Sequence, residues 1–289
     1  MDGSARPGSL SGPGEEKMVS DDSPRPGAQG ISSLSGFVFD RSGKGIEKPL
    51  DVIGERPVTL YLNGREMVTL LCAGRYLEEL AVGFFHADGF LERLEDLESV
   101  KVDEEAGKVE VKARGDSSLL EKAWMKRTVT SGCGKGSLFY YSLDALLSRP
   151  VESSLRITPN QILDRMEDLN HLSETYRLTH GVHNTILATP EKTLIFRDDI
   201  GRHNAVDMIV GHVFLNSIPL DDKLLVTTGR LTSEIVIKLA KVNLPILVSR
   251  NTGTTLSIEL ARSLGITLIG FARAGKFTAY SGWERIVEG

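Results

Sequence analysis

Residues 223–273 read KLLVTTGRLTSEIVIKLAKVNLPILVSRNTGTTLSIELARSLGITLIGFAR, and this stretch decides the predicted fold. Its apolar runs and polar turns predict three strands with two intervening helices, at residues 223–227, 232–241, 245–249, 254–264 and 267–273. Strands that alternate with single helices indicate βαβ units and an α/β core with a mainly parallel sheet. Ligands bind such sheets where the carboxyl ends of the strands meet helix amino termini.

The residues that precede this stretch extend the same pattern. A strand pair is predicted at 184–189 and 194–198, followed by a helix at 204–216. An earlier helix is expected to run to about Leu172, with Thr158 as its N-cap and Pro159 at its first position.

The amino-terminal third has a different pattern. The run PVTLYL ends in Asn63 and Gly64, a pair typical of a tight hairpin turn, and a returning strand follows. A helix is predicted over 75–91, a second hairpin over 99–112 and a short helix over 119–127. These elements indicate a smaller, β-rich α+β part.

The predicted organisation has four parts. Residues 1–34 are rich in Gly, Pro and Ser, which indicates a disordered tail. The β-rich subdomain covers 35–128, a mobile cysteine loop and linker covers 129–150, and the α/β domain covers 151–289.

The composition limits the classes of function. The 289 residues carry a formal net charge of -5, so the charge as a whole gives no reason to expect nucleic-acid binding. No apolar run is long enough for a membrane span, and the amino terminus lacks the apolar segment of a secretory signal. The two cysteines are differently placed, Cys72 in an apolar run and Cys133 among glycines, which argues against a disulfide framework and favours a reducing, cytoplasmic setting.

The other cysteine, Cys133, lies in TSGCGKGS (130–137). Glycines on both sides remove side-chain cover, and Lys135 with free backbone N–H groups would lower the thiol pKa. The pattern favours a reactive thiol. The alternative is a glycine-rich turn that holds an inert cysteine.

Two polar loops are candidates for binding or acid–base chemistry. THGVHN (179–184) contains His183, and RDDIGRHN (197–204) contains Asp198, Asp199 and His203 at a helix start. Together they could support acid–base chemistry or ligand orientation. Taken separately, the histidines could be ordinary polar loop residues.

Two further turns, TTGRLTSE (227–234) and SRNTGTT (249–255), each lead from a strand into a helix. Backbone N–H groups there can bind phosphate, with Arg230 and Arg250 as counter-charges. The alternative is that both are ordinary N-caps. Metal binding is not expected, because no Cys-x-x-Cys pair is present.

With these motifs, the chain resembles the FdhD/NarQ family of formate dehydrogenase accessory sulfurtransferases from about Phe37 onward. The resemblance rests on five segments in order: LEELAVGF (77–84), TSGCG (130–134), DDIGRHNAVD (198–207), GRLTSE (229–234) and GFAR (270–273). It implies a three-layer core similar to that of the cytidine deaminases, without their zinc, and a homodimer.

The resemblance also implies a role as sulfur carrier. Cys133 would accept sulfur from a cysteine desulfurase as a persulfide. It would then pass the sulfur to the molybdenum or tungsten of a bis-pterin guanine dinucleotide cofactor, which is inserted into formate dehydrogenase. Some family members have a second cysteine where this chain has Gly136, so transfer would depend on one thiol.

The cofactor site follows from the resemblance and from the anion-binding turns. The expected contacts are Phe271, Ala272, Arg273, Ala274, Gly275, Lys276, Arg230, Arg250 and His203. Two other functions stay open. One is a chaperone that carries the cofactor without sulfur chemistry, and the other is a nucleotide hydrolase or deaminase that uses Asp199, His183 and His203.

Overall fold

The computed structural model describes residues 30–114 and 149–289. Within these ranges the chain forms a mixed α/β structure with twelve β-strands in three sheets and six α-helices. None of the described helices is long and apolar enough to cross a membrane.

Several predictions fall outside the described residues. They concern the predicted helix 119–127, Cys133 and nearly all of the predicted cysteine loop, and the tail as far as residue 29. At the tail's far end the prediction needs correction, because the first strand begins at Ile31 and pairs along its whole length.

The first sheet is a two-stranded antiparallel hairpin of β1 (Ile31–Phe39) and β2 (Gly45–Ile53). Large apolar side chains are exposed on it, including Phe37 and Phe39 at 61% and 67%. Its base lies against the C-terminal part, since a Cβ added at Gly181 would come within 2.6 Å of the Cγ2 of Ile53.

The second sheet has four strands in the order β4-β3-β6-β5, with bounds β3 Arg56–Leu62, β4 Arg65–Cys72, β5 Leu97–Asp103 and β6 Lys108–Ala113. Asn63 and Gly64 both have positive φ, 50° and 79°, which is the type I′ turn expected of this pair. Helix α1 (Leu77–Ala87) packs its apolar residues on this sheet. Both predicted hairpins are confirmed.

The third sheet has six strands in the order β12-β11-β10-β9-β7-β8, with bounds β7 His183–Ala188, β8 Thr193–Asp199, β9 Leu224–Thr227, β10 Ile246–Ser249, β11 Thr267–Arg273 and β12 Lys276–Ser281. Strand β10 pairs in parallel with β9 and β11, as the βαβ pattern predicts. The other three pairings, β7 with β8, β7 with β9 and β11 with β12, are antiparallel. The prediction of a mainly parallel sheet is therefore wrong, and the sheet is mixed.

Short connections explain the difference. β7 and β8 are joined by a turn, as are β11 and β12, and strands joined this way must run antiparallel. The helix after β8 then carries the chain across β7, so β9 pairs with β7 instead of β8. Strands β8 to β11 still share one direction.

The remaining helices lie on both faces of the third sheet, with bounds α2 Pro159–Leu172, α3 Glu174–Thr179, α4 Arg202–Leu215, α5 Ser233–Lys241 and α6 Thr255–Ser263. Helix α2 packs on one face, against residues such as Ile186 and Val226. Helices α4, α5 and α6 pack with Leu187 and Leu225 on the other. The predicted three layers are present; the likeness to cytidine deaminases stays a prediction.

Helices α1 and α4 join the two parts of the chain. A Cβ added at Gly83 would lie 1.8 Å from the carbonyl oxygen of Asp207, and one at Gly211 would lie 1.9 Å from that of Glu79. Only glycine permits so close a backbone approach. Met208 and Phe214 of α4 also enter the core beneath the four-stranded sheet.

Candidate functional site

A cleft of about 360 Å³ opens at one edge of the six-stranded sheet. The carboxyl ends of β8 to β11 and the amino end of β7 meet at this edge. Residues from five connections line it: Tyr176, His180, Gly181, Val182, His183, Ile200, Thr228, Arg250, Asn251 and Arg273. The cleft therefore lies where the α/β pattern predicts a ligand.

Two of the predicted cofactor contacts, Arg250 and Arg273, line the cleft itself. Arg250 donates a long hydrogen bond of 3.4 Å to the Oδ1 of Asn170 on α2. Within the described ranges neither guanidinium is paired with a carboxylate. Their positive charge is therefore available to an anionic ligand.

The segment from Phe271 to Lys276 is only partly a cleft wall. Phe271 has φ of 53° at a bulge in β11, and its N–H donates to the carbonyl of Asn251 over 2.9 Å. The Arg273 guanidinium lies 5.7 Å from the centre of the exposed Phe271 ring. A strained residue and a cation are thus held together at the cleft edge.

Other residues of this segment have different environments. Ala272 is fully buried in the core, so its side chain does not line the cleft, and its place in the cofactor site stays a prediction. Ala274 and Gly275 both have positive φ and form the turn between β11 and β12. Lys276 is exposed and lies opposite Arg273 in the antiparallel pairing of β11 with β12. Neither Lys276 nor the turn lines the cleft.

Two other predicted contacts lie outside the cleft lining, His203 in the first turn of α4 and Arg230 in the connection between β9 and α5. The Nε2 of His203 is 2.8 Å from a carboxylate oxygen of Glu234. Arg230 is exposed, and its charge reaches His183 and Arg202. These two residues therefore add to the electrostatics beside the cleft.

Cationic residues also lie beside the cleft. Burial, followed by the charges of Arg202, His203 and Arg230, lowers the pKa of His183. Burial and then Arg230 also lower the pKa of Arg202, whose Nε is buried without a hydrogen-bond partner in the described part of the chain. A bound anion would offset this repulsion.

Asn184 offers an unused acceptor next to His183. The residue is 2% exposed, and its Oδ1 has no hydrogen-bond partner among residues 30–114 and 149–289. Its backbone is fixed to Thr228, whose Oγ1 accepts from the Asn184 N–H over 3.0 Å. A buried acceptor without a donor is costly, but Asn184 is not among the residues that line the cleft.

The two predicted phosphate turns differ. At α6, the Thr254 and Ser257 side chains form a capping box, so this turn is the ordinary N-cap that was the alternative prediction. At α5, Thr232 is the N-cap residue but forms no side-chain capping bond. Gly229, in the turn before α5, lies against Arg202, since an added Cβ would be 2.9 Å from the Arg202 Cβ.

The acids of the RDDIGRHN loop have no direct access to the cleft. Asp198 is 3% exposed and Asp199 is fully buried, and both are hydrogen-bonded to other parts of the chain. Burial raises the pKa of Asp199, although hydrogen bonds from Ala73, Gly201 and Asn204 act in the opposite direction. Acid–base chemistry by these two residues, which the sequence left open, is therefore not supported.

Sequence reasoning missed three residues of this region: Arg75, Ser173 and Tyr176. Tyr176 lines the cleft, while Ser173 is the N-cap of α3 and Arg75 is buried against Asp198. The Ser173–Glu174 pair is a helix-start signal that could have revealed α3. Across the described ranges, no cluster of three His, Cys, Asp or Glu side chains could hold a metal ion.

The chain was compared with known protein families, with related proteins and with solved structures. The model of the FdhD/NarQ family matches residues 53–287. This chain belongs to the FdhD/NarQ family. A Bacillus subtilis relative named sulfur carrier protein FdhD is 40% identical over 237 residues, which cover 82% of this chain and 90% of the relative. A Staphylococcus aureus relative of the same name is 37% identical over 236 residues, 82% of this chain and 89% of the relative.

A solved structure agrees with the FdhD/NarQ assignment. It is the crystal structure of a protein from Desulfotalea psychrophila described as a formate dehydrogenase accessory protein. The two superpose with a TM-score of 0.73 at 25% identity, over 89% of this chain and 99% of that one.

Proposed function

We propose that this protein is a sulfur carrier in the maturation of formate dehydrogenase. In this proposal Cys133 accepts sulfane sulfur from a cysteine desulfurase as a persulfide and passes it to the molybdenum or tungsten of a bis-guanine dinucleotide cofactor. The cofactor is a substrate, held in the cationic cleft while it receives sulfur.

The observation that carries the proposal is the family match, which spans Cys133 and every residue of the cleft. The relatives named sulfur carrier protein FdhD cover most of this chain. Their name describes the activity, and the cleft supplies a site for its anionic substrate.

The state of the other cysteine supports Cys133 as the carrier. The chain has two cysteines, and Cys72 is fully buried at the end of β4. Burial raises the pKa of the Cys72 thiol to about 11, so it holds its proton at neutral pH and is a poor nucleophile. We therefore assign the sulfur chemistry to Cys133.

The first step needs only a thiolate. The Cys133 sulfur attacks the terminal sulfur of the donor's persulfide, forming one S–S bond while the donor's S–S bond breaks. The donor leaves as a thiolate, so no electrons are gained or lost. Gly132 and Gly134, its neighbours in sequence, have no side chains that could cover the thiol.

Charged groups at the cleft support it as the site of the substrate's guanine nucleotide. Arg250 and Arg273 carry charge suited to phosphate groups. His183 and Arg202, whose pKa values are lowered beside other cations, gain from a bound anion.

We also propose a cellular location, an oligomeric state and partners for this protein. We place the protein in the cytoplasm as a homodimer, with a core like that of the cytidine deaminases but without their zinc. Its partners are a cysteine desulfurase and formate dehydrogenase.

The test is mass spectrometry after incubation with a cysteine desulfurase and cysteine. We expect one added sulfur on Cys133, the same addition in Cys72→Ala, and none in Cys133→Ala. Sulfur on Cys72, or no sulfur on the wild-type protein, would contradict the proposal. A Cys133→Ala variant that still supports full maturation would instead indicate a chaperone that carries the cofactor.

A further inference from the structure

Two consecutive acids at the end of β8, Asp198 and Asp199, are buried and both contact the connection between β4 and α1. Neighbouring residues of a strand point to opposite faces of its sheet. One short connection, residues 73–76, therefore contacts acids on both faces of the sheet, at the end where the cleft opens.

Asp199 joins this connection to the turn that leads into α4. Its Oδ2 accepts from the N–H of Ala73 over 2.7 Å. Its Oδ1 accepts from the N–H of Gly201 over 2.8 Å and from the Nδ2 of Asn204 over 2.7 Å. The Nδ2 of Asn204 also donates to the Leu71 carbonyl over 2.8 Å. The turn held in this way is one wall of the cleft.

Asp198 joins the same connection to α3. Its Oδ1 lies 2.7 Å from the Nη2 of Arg75, and both side chains are at most 5% exposed. Its Oδ2 accepts from the Ser173 hydroxyl over 3.0 Å. Arg75 also donates to the Thr175 hydroxyl over 3.1 Å, and Ser173 caps α3 by accepting from the N–H of Tyr176. Helix α3 is the opposite wall.

We propose that Asp198 and Asp199 are positioning residues that set the geometry of the two cleft walls. This role rests on the proposed function, since it takes the cleft as the cofactor site. Neither acid touches the ligand. Asp199 acts through the turn that contains Ile200, and Asp198 acts through Tyr176 and His180 of the α3 wall.

The chemistry requires carboxylates at both positions. Three N–H groups converge on Asp199, and a carboxylate is the side chain that accepts from all of them. An asparagine would place an NH2 group against one of those donors. At Asp198 the negative charge is needed because Arg75 is buried beside it.

The experiment measures hydrogen–deuterium exchange and the binding of GDP, used as the probe, in Asp198→Asn and Asp199→Asn. We expect faster exchange in residues 173–181 for the first variant and in residues 199–204 for the second. We expect GDP affinity to fall roughly tenfold in each, because each variant displaces one wall of the cleft.

The matched control is Glu79→Gln. Glu79 is also a largely buried acid that binds a buried arginine, Arg197, through two hydrogen bonds of 2.6 and 2.8 Å. It lies between α1 and α4 and not beside the cleft. We expect this variant to lose stability while its GDP affinity stays within about twofold.

A double variant separates the effect of α3's position on GDP affinity from the effect of the buried charges on stability. Arg75→Met with Asp198→Asn removes both buried charges, so we expect it to regain stability lost in Asp198→Asn. GDP affinity should stay weak, because α3 is still detached.

The positioning role is wrong if the folded Asp198→Asn and Asp199→Asn variants bind GDP like the wild-type protein, or if Glu79→Gln weakens binding equally. If the wild-type protein binds no GDP, the nucleotide site of the proposed function fails. The exchange pattern then decides the positioning role: faster exchange confined to the two walls supports it, and uniform or unchanged exchange overturns it.

Discussion

The α1–α4 crossing and the cleft edge are both rich in polar residues. These residues differ in whether they have hydrogen-bond or ion-pair partners within the chain. At the crossing, Glu79 accepts hydrogen bonds from Arg197 and His212, and Asp207 pairs with Lys238 at 2.5 Å. Although burial acts against it, these hydrogen bonds lower the pKa of Glu79. The polar groups there have partners within the chain.

At the cleft edge, by contrast, several polar groups lack such partners. Arg250 and Arg273 have no carboxylate partner in the described ranges, and the Oδ1 of Asn184 has no donor there. Phe271 has left-handed backbone. Proteins tolerate such features mainly where a ligand uses them. The paired groups of the crossing therefore serve stability, whereas the unpaired groups at the cleft edge support the binding role that we propose.

The largest effect is expected at the crossing. In Gly211→Ala the new Cβ would lie 1.9 Å from the carbonyl oxygen of Glu79, so the helices must separate. We expect a loss of about 3 kcal/mol or more in unfolding free energy, measured with urea. The folded fraction should bind GDP with unchanged affinity, which separates this region from the cleft.

Gly43→Ala is the control for this substitution. Gly43 has φ of 81°, and an added Cβ would meet nothing within 4 Å. Only backbone strain of roughly 1 kcal/mol is expected. Equal losses in the two variants would mean that the close approach of α1 and α4 has no special role.

A smaller effect, on affinity alone, is expected at the cleft. Arg273→Ala and Arg250→Ala should each weaken GDP binding about tenfold or more, because a charge-assisted hydrogen bond is lost. Their melting temperatures should change little. The measurement is titration calorimetry at two salt concentrations, with tighter binding at low salt.

Arg114→Ala tests whether any lost positive charge has this effect. Arg114 is paired with Glu98 and is 70% exposed, on the N-terminal part. We expect GDP affinity to stay within about twofold. If all three variants lose affinity alike, general charge and not the cleft explains binding.

The smallest effect concerns pH. Burial and nearby cations lower the pKa of His183 in the folded protein, whereas in the unfolded chain it returns to about 6.5. As pH falls through that value, the unfolded state binds a proton that the folded state does not, so stability falls. We expect this loss to be smaller in His183→Gln between about pH 7.5 and 5.5.

Unfolding free energies of both proteins at the two pH values measure this difference. Saturating GDP should also reduce the loss, because a bound anion favours protonated His183. Identical pH dependence in the wild-type protein and His183→Gln would exclude His183 as the source.

Local signals in the sequence predicted much of the fold. Asn63 with Gly64 predicted the turn between β3 and β4, and Thr158 with Pro159 predicted the start of α2, whose capping box is present. The alternation of strands and helices gave β9 to β11. These features depend on neighbouring residues, so a single sequence contains them.

Features that depend on distant residues were not predictable. The pairing of β7 with β9 follows from the path of α4 across the sheet. Asp198 and Asp199 looked like reactive acids, because their partners Arg75 and Ala73 are more than a hundred residues away. Likewise, nothing local showed that Ala272 is buried while Arg273 faces the cleft.

The role of Cys133 is tested most directly by formate dehydrogenase activity in cells that lack their own FdhD protein and express variants of this chain. We predict that Cys72→Ala restores activity like the wild-type protein, while Cys133→Ala restores none and Arg273→Ala restores little. Full activity with Cys133→Ala would contradict the central claim that this protein carries sulfur on that cysteine.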